Sequence, residues 1–437
     1  MLTASAFLFV FGLGCLLALF RHPIFGLVTY VGVFYVHPPS FWWGSVLPSL
    51  RWSLIAAAVT LLSVLVHRSK VTGPGLRESG LFRGLVLFVL WLAIQMFWAL
   101  DETMHTELLV LTTKYAVLVF LIYKCINSIR DLRIFLWSHA IGCFYVGYYV
   151  FSQYVGGRFE GFISPGIDEA NAGALHIATG ILITFVLFLS GKLYEKIAAI
   201  GIMPFIVNAL IASISRSGFL ALGAAGLVFN LFTPKKLARV VRVFSLVGLV
   251  LFIVLTNQSY WERIGTILVA GEEVEGVDTG SGRLVLMKAQ LQMFSNYPLG
   301  CGHRCTAVLS PLYLDEKHLT GPEERKARSS HNTFMTLLVE QGIPGVVIYI
   351  ALMLWIVRMV FRLRHRMRQS EGLLATTYAA TVAILAAITV GDQFVDYLKF
   401  EARFWFIALL LVLVKLDAAS PVIETDDGAI CKQAASQ

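Results

Sequence analysis

Two arginines and one histidine lie at points where an apolar chain becomes polar. Arg216 stands in ISRSGFLAL between two apolar runs, Arg283 stands in SGRLVLMKAQLQMF, and His331 stands in SSHNTF. A guanidinium group offers forked donors that match the oxygens of a diphosphate. An imidazole titrates near neutral pH and can remove a proton from a hydroxyl. These residues predict anion binding combined with general base catalysis; the simpler alternatives are arginines at a membrane surface and a structural histidine.

Four further polar residues are candidates for substrate binding. Arg158 and Asn171 stand near the two ends of GRFEGFISPGIDEAN, Asn332 follows His331 directly, and Glu340 belongs to a Glu-x-Gly turn. Asn171 stands where a helix is expected to begin, so its alternative role is that of an N-cap.

Two cysteines stand close together in the sequence GCGHRC. Cys301 and Cys305 are predicted to lie outside the cytoplasm, where disulfides persist, so a bridge between them is the first hypothesis. A zinc site is the alternative, but His303 would bring the number of ligands only to three, at poor spacing. We therefore expect no metal site here.

The elements that must position these residues are membrane helices. Of the 437 residues, 57% are hydrophobic and 14% are charged, whereas soluble domains contain about 25% charged residues. The formal net charge of +8 does not indicate nucleic acid, because the basic residues stand in short clusters between apolar runs. The composition predicts an all-α polytopic membrane protein.

The apolar runs predict about 12–13 transmembrane helices, since a span needs about 20 apolar residues. A shorter run at 23–36 is either a thirteenth span or a half-buried partner of the first. The twelve longer runs are 4–20, 52–66, 82–100, 106–124, 132–155, 171–190, 196–214, 217–233, 240–257, 334–361, 373–391 and 402–415.

The basic clusters predict the orientation of the chain. Clusters near residues 67–70, 130–133, 192–196, 235–242 and 362–366 alternate with loops that carry fewer basic residues, and basic clusters favour the cytoplasmic side. The other side then receives the 156–170 loop, the 392–401 loop and a long polar segment. Four regions follow: an N-terminal bundle (1–257), a periplasmic catalytic loop or lid (258–333), C-terminal transmembrane helices (334–416) and a cytoplasmic, disordered tail (417–437).

The motifs SRSG, SGR…NYPLGCG and HNTF…EQGIPG, in this order, resemble the Wzy/O-antigen ligase superfamily of bacterial inner-membrane glycosyltransferases. In the N-terminal half, HPIFGLVTYVGVFYVHPPSFWWG and GRFEGFISPGIDEAN look like the exosortase-associated O-glycosylation ligase branch. The resemblance implies a GT-C-like fold with one large periplasmic helical loop. It also implies that Arg216, Arg283 and His331 are catalytic, and it matches Arg158 and Asn171 to a family pattern.

The function that the resemblance implies is glycan transfer from an undecaprenyl-diphosphate carrier to an acceptor hydroxyl, with inversion and without a metal or cofactor. The acceptor would be a lipid, a protein or another glycan. The expected location is the bacterial inner membrane, with the site facing the periplasm and with membrane lipids, not nucleic acid, as partners. A Wzy-type repeat-unit polymerase is the first alternative. A secondary transporter is the second, although the paired, Gly/Pro-broken half-helices typical of transporters are not evident.

Overall fold

The computed structural model describes residues 2–67, 79–256, 258, 261, 281–319, 327–419, 422–424 and 430–432. Ten α-helices form the N-terminal part of the described chain. They are α1 (Leu2–Phe20), α2 (Ile24–Tyr35), α3 (Trp52–Val66), α4 (Gly80–Gln95), α5 (Glu102–Cys125), α6 (Ile129–Gln153), α7 (Ala170–Ser190), α8 (Leu193–Ala212), α9 (Arg216–Phe232) and α10 (Ala238–Leu255).

Six further α-helices and one π-helical segment follow in the C-terminal part. They are α11 (Ser281–Asn296), α12 (Cys305–Tyr313), α13 (Thr333–Thr336), the π-helical segment Leu337–Gln341, α14 (Gly342–Gln369), α15 (Gly372–Gly391) and α16 (Glu401–Ala419). Short 3₁₀ turns occur at Pro38–Ser40, Trp42–Val46, Lys235–Leu237 and Glu316–His318. Two three-residue strands, β1 (Val422–Glu424) and β2 (Ile430–Lys432), pair antiparallel in the C-terminal tail; the predicted disorder and cytoplasmic location of that tail remain predictions.

The described helices confirm an all-α polytopic membrane protein. Eight of them are long and apolar enough to cross a membrane by length and composition. Three predicted spans form shorter apolar helices, α3 with 15 residues, α4 with 16 and α9 with 17. The most enclosed helices are α7 and α15, whose apolar windows are each 78% buried. They form the centre of the bundle together with α16, which is buried along most of its length.

The run at 23–36 forms the short helix α2. Its 12 residues span roughly 18 Å, against about 30 Å for a membrane core. Ile24, Leu27 and Val31 are almost completely buried, so this helix is a partner inside the bundle and not a full span.

One predicted span, 334–361, is wrong at its start. Thr333 Oγ1 lies 2.8 Å from Asp392 Oδ1, and the hydroxyl of Tyr349 lies 3.4 Å from Asp392 Oδ2. In a continuous helix Thr333 and Tyr349 would be about 24 Å apart. The chain instead reverses at Gly342, which has φ 64°. A Cβ at Gly342 would approach the carbonyl carbon of Leu299 to 2.2 Å, so this turn requires glycine.

The two long C-terminal helices α14 and α15 differ in length. α14 has 28 residues and α15 has 20, so the two helices are roughly 42 and 30 Å long. They are joined at one end by residues 370–371, and α15 therefore ends roughly 12 Å below the start of α14. The 392–400 connection begins at that lower level.

The described part of the predicted lid is helical and packs on the π-helical segment. Ala289, Met293, Cys305, Leu309 and Val339 belong to one buried apolar cluster. Leu284 and Leu291 of α11 are more than half exposed, because the face of the helix that carries Ala289 and Met293 is the one that packs against α12 and Val339.

Candidate functional site

Arg216 is the first residue of α9, at a tightly constrained turn after α8. Ser215 caps α9, since its hydroxyl accepts a hydrogen bond from the Gly218 amide at 3.1 Å. Ile214 has φ 44°, a left-handed conformation that costs a non-glycine residue about 1–3 kcal/mol. Arg216 itself is half-buried. A guanidinium beside the positive end of a helix dipole is suited to bind an anion.

Asn171 ties the outer loop to this turn. Its Oδ1 accepts hydrogen bonds from the Ser215 hydroxyl at 2.7 Å and from Arg158 at 3.3 Å. The N-cap alternative for Asn171 is wrong, because α7 begins one residue earlier and Glu169 occupies the cap position. Arg158 also forms an ion pair with Glu160 at 3.0 Å. Arg158 and Asn171 therefore position the start of α9 together.

His331 is exposed and directly precedes a strong helix cap. Asn332 Oδ1 accepts from the amides of Phe334 and Met335 at 2.9 and 3.0 Å, and its Nδ2 donates to the Gln393 carbonyl at 3.1 Å. The side chain of Asn332 is thus engaged in capping α13. This arrangement fixes the backbone that carries His331 against the 392–400 connection.

A buried polar network holds the segment that begins at Thr333 against the 392–400 connection. The Thr333 amide donates to the Asp392 carbonyl at 2.8 Å, and the Thr333 hydroxyl accepts from the Tyr397 amide at 2.8 Å. Arg403 forms a buried ion pair with Asp392 and donates to the Tyr349 hydroxyl at 2.8 Å. Buried charges at membrane depth are costly unless they are paired in this way.

Sequence reasoning missed Asp392 and Arg403. The available signal was that both are ionisable residues within an apolar stretch, which makes them functional candidates by default. They looked like ordinary loop and helix-end residues because their partners, Thr333 and Tyr349, are distant in sequence.

Tyr397 connects the two halves of the site. It is 2% exposed, its amide contacts Thr333 at 2.8 Å, and its hydroxyl lies near Ser217 in the first turn of α9 without forming a hydrogen bond of ordinary geometry. Burial is the main cause that raises the pKa of Tyr397, so the hydroxyl stays neutral. The structure therefore brings the helix that begins with Arg216 and the segment that carries His331 to the same residue.

Position 283 lies in the first turn of α11, and its side chain falls outside the described residues. Two turns further along α11, Gln290 Nε2 donates to the Ser330 hydroxyl at 3.0 Å. Gln290 is 1% exposed, so this contact is a packed one. It brings α11 against the residue that precedes His331.

Glu340 is engaged within the lid. It is 3% exposed, and its Oε2 lies 2.8 Å from His303 Nδ1. The His303 amide in turn donates to His105 Nδ1 at 3.0 Å. Glu340 therefore holds the GCGHRC turn against α5, and its role in binding substrate stays a prediction.

Cys301 and Cys305 form a disulfide, as predicted. Both are buried, at 1% and 0% exposure, and the bridge connects the turn after Gly300 to the start of α12. The thiolates that a zinc site would need are consumed in this bond. Among the described residues a different group, His139, Cys143 and His176, has the composition of a metal site.

Comparison with models of known families gives a match to part of the chain. Residues 201–350 match the family model Wzy_C, described as O-antigen ligase. No curated protein matches the chain. The matched segment contains Arg216, Arg283 and His331, together with the chain reversal at Gly342. This match, over about a third of the chain, supports the resemblance to the Wzy/O-antigen ligase superfamily.

Proposed function

We propose that the protein transfers a glycan from an undecaprenyl-diphosphate carrier to an acceptor hydroxyl at the periplasmic face of the bacterial inner membrane. The family match supports a glycan transferase of the ligase or polymerase type. The observation that carries the finer proposal is the meeting of Arg216's helix and His331's segment at Tyr397. This meeting point lies at the end of α15, roughly 12 Å below the start of α14.

The proposed reaction needs positive charges that bind the diphosphate, a general base and an acceptor hydroxyl. Arg216 and Arg283 bind the diphosphate and stabilise the charge that develops on it as the glycosidic bond breaks. His331 accepts the proton of the acceptor hydroxyl, whose oxygen attacks the anomeric carbon from the face opposite the diphosphate. A bond forms to the acceptor, the bond to the diphosphate breaks, and the configuration inverts. Undecaprenyl diphosphate leaves with its electron pair, and the arginines supply the positive charge without a metal.

The acceptor is a lipid, a protein or another glycan. A Wzy-type polymerase would use the same donor chemistry with a second lipid-linked repeat unit as acceptor, and the family match includes both types.

Variants of Arg216 and His331 test the assignment in proteoliposomes that contain a synthetic undecaprenyl-diphosphate oligosaccharide and an acceptor. Removing one hydrogen bond to a charged group costs about 1.5–3 kcal/mol, or roughly 10- to 150-fold. Arg216→Ala should lose at least that much transfer, and Arg216→Lys should recover little because lysine lacks the fork. The control is Arg362→Ala, which removes an exposed arginine from the other end of α14 and should be neutral.

His331 is tested by a pair of variants. If it acts as the base, His331→Ala and His331→Gln both lose about 10²–10⁴ in turnover while still binding donor. Near-normal turnover of His331→Gln would show that the residue only positions the acceptor by a hydrogen bond.

A further inference from the structure

A compact group of metal-ligand residues lies where α2, α6 and α7 meet. His139 and Cys143 belong to α6, His176 belongs to α7, and all three are at most 1% exposed. One potential ligand atom from each lies within 4.8 Å of the others. His176 stands five residues after Asn171 on the same helix, so the group lies roughly 7.5 Å deeper in the membrane than the candidate site.

The three side chains converge on a single point. That point is the hydroxyl of Tyr35, which lies 2.7 Å from His139 Nδ1, 2.7 Å from His176 Nε2 and 3.4 Å from Cys143 Sγ. Trigonal coordination with bonds of about 2.0–2.3 Å places the ligand atoms about 3.5–4 Å apart. In this structure the Tyr35 hydroxyl occupies the point where an ion would sit, so binding requires the phenol to withdraw from it and the ligand atoms, now within 4.8 Å of one another, to move closer together.

The contacts of His139 prepare its ring for this role. Thr179 donates its hydroxyl proton to the His176 carbonyl at 2.6 Å, so at 2.9 Å it accepts a proton from His139 Nε2. The lone pair of His139 is therefore on Nδ1, which faces the convergence point. A histidine whose second nitrogen donates to an oxygen is the usual arrangement of a metal ligand.

His176 has one nitrogen at the convergence point and the other in aromatic surroundings. Its Nδ1 is buried and has no hydrogen-bond partner among the described residues. The rings of Phe34, Phe400 and Trp405 lie 5.4, 6.1 and 6.1 Å from it, measured between centroids. A hydrogen on Nδ1 can point at an aromatic face, whereas a lone pair there would have no donor. Coordination through Nε2 places the hydrogen on Nδ1.

The charge of the group selects the ion. Two neutral imidazoles and one thiolate carry a single negative charge, and an isolated charge in an apolar interior is very costly. A monovalent cation makes the site neutral, and thiolate and imidazole together favour Cu(I). We propose that His139 Nδ1, Cys143 Sγ and His176 Nε2 bind one Cu(I) ion. Binding releases the Cys143 proton to water, and the Tyr35 hydroxyl then donates to the thiolate. The ion joins α6 to α7 and takes no part in the proposed transfer.

Copper binding is measured on the full-length protein in detergent, without oxygen, by competition with a Cu(I) chelator and by elemental analysis. We expect close to one copper per chain, loss of that copper in Cys143→Ser, and full retention in the control Cys15→Ser, which removes a free cysteine outside the group. Thr179→Val should weaken binding by about 10- to 100-fold because it removes the partner that orients His139. Tyr35→Phe should retain copper, since the phenol is not a ligand.

X-ray absorption at the copper edge on the wild-type protein gives a test that does not depend on the folding of any variant. The expected spectrum contains one sulfur and two nitrogen neighbours. A wild-type protein that takes up no copper against the chelator, equal uptake by Cys143→Ser, or a spectrum without sulfur would each overturn the proposal and leave the group as a hydrogen-bonded cluster.

Discussion

Replacing Thr333 with valine tests whether the buried network positions the catalytic segment. Valine has nearly the same shape as threonine but lacks the hydroxyl, and Thr333 is 0% exposed. In the wild type this hydroxyl accepts from the Tyr397 amide at 2.8 Å, and its single proton has two acceptors within reach, Asp392 Oδ1 at 2.8 Å and the Val395 carbonyl at 3.0 Å. The substitution therefore removes the hydroxyl's contacts with the 392–400 loop without creating a cavity, and it leaves the bond from the Thr333 amide to the Asp392 carbonyl in place.

The cost follows from these contacts. A buried amide left without an acceptor costs about 1–3 kcal/mol, and a hydrogen bond to a charged group is worth about 1.5–3 kcal/mol. Because Asp392 keeps Arg403 as its partner, we expect a total of about 2–4 kcal/mol rather than the full sum. His331 stands two residues away, and a displacement of about 1 Å in a catalytic group can cost roughly 10²-fold in rate.

The assay combines transfer kinetics with thermal unfolding. Thr333→Val should lower both kcat and Tm and leave the KM for the lipid donor nearly unchanged, since the donor is held by the arginines. Thr381→Val is the matched control: Thr381 is also 0% exposed, but its hydroxyl donates to the Thr377 carbonyl within α15 at 2.8 Å. If the two variants have the same kcat and Tm, the network does not position the site and this reasoning is refuted.

Three further predictions concern the lid, the 392–400 connection and the orientation of the chain in the membrane. Alkylation of the unreduced protein should leave Cys301 and Cys305 unmodified until a reductant is added, and two reactive thiols there would contradict the disulfide. Burial, reinforced by the charge of Glu340, raises the pKa of Asp396 from 3.8 to about 6. The free energy of unfolding therefore falls as the pH rises from about 4 to 6, because the unfolded chain loses this proton first. Asp396→Asn should increase Tm above pH 6 but not near pH 4. An equal change in Tm at both pH values would remove that explanation. Cysteines introduced at positions 276 and 369 should be labelled from opposite sides of the membrane, and labelling from one side would invalidate the predicted topology.

The sequence was sufficient to predict the helices because hydropathy depends on local composition. The run at 373–391 corresponds to α15, Gly372–Gly391, and the run at 106–124 corresponds to α5, Glu102–Cys125. The reversal at Gly342 was not predicted. A hydropathy window sums side chains and does not detect a change of chain direction, and the need for glycine arises from contact with Leu299, which is distant in sequence.

The sequence identified polar residues of the candidate site, but it did not predict which partners each of them contacts. Asn171 contacts both Arg158 and Ser215, the residue before Arg216, and His331 directly precedes the cap of α13, while the roles of these residues in transfer stay predictions. The roles of Asn332 and Glu340 depended on partners that no local pattern reveals, namely two amides of α13 and the His303 ring. The same applies to Tyr35, which is separated by 104 residues from His139 and by 141 from His176.

The most direct test of the central claim is to identify the products formed by the purified wild-type protein in proteoliposomes. The donor is an undecaprenyl-diphosphate-linked oligosaccharide of known anomeric configuration, and mass spectrometry and NMR follow both the lipid and the sugar. The account predicts stoichiometric release of undecaprenyl diphosphate and a glycoside of the acceptor with inverted configuration. Retained configuration would contradict the single displacement, and an intact lipid-linked glycan that has only moved across the membrane would contradict glycan transfer itself.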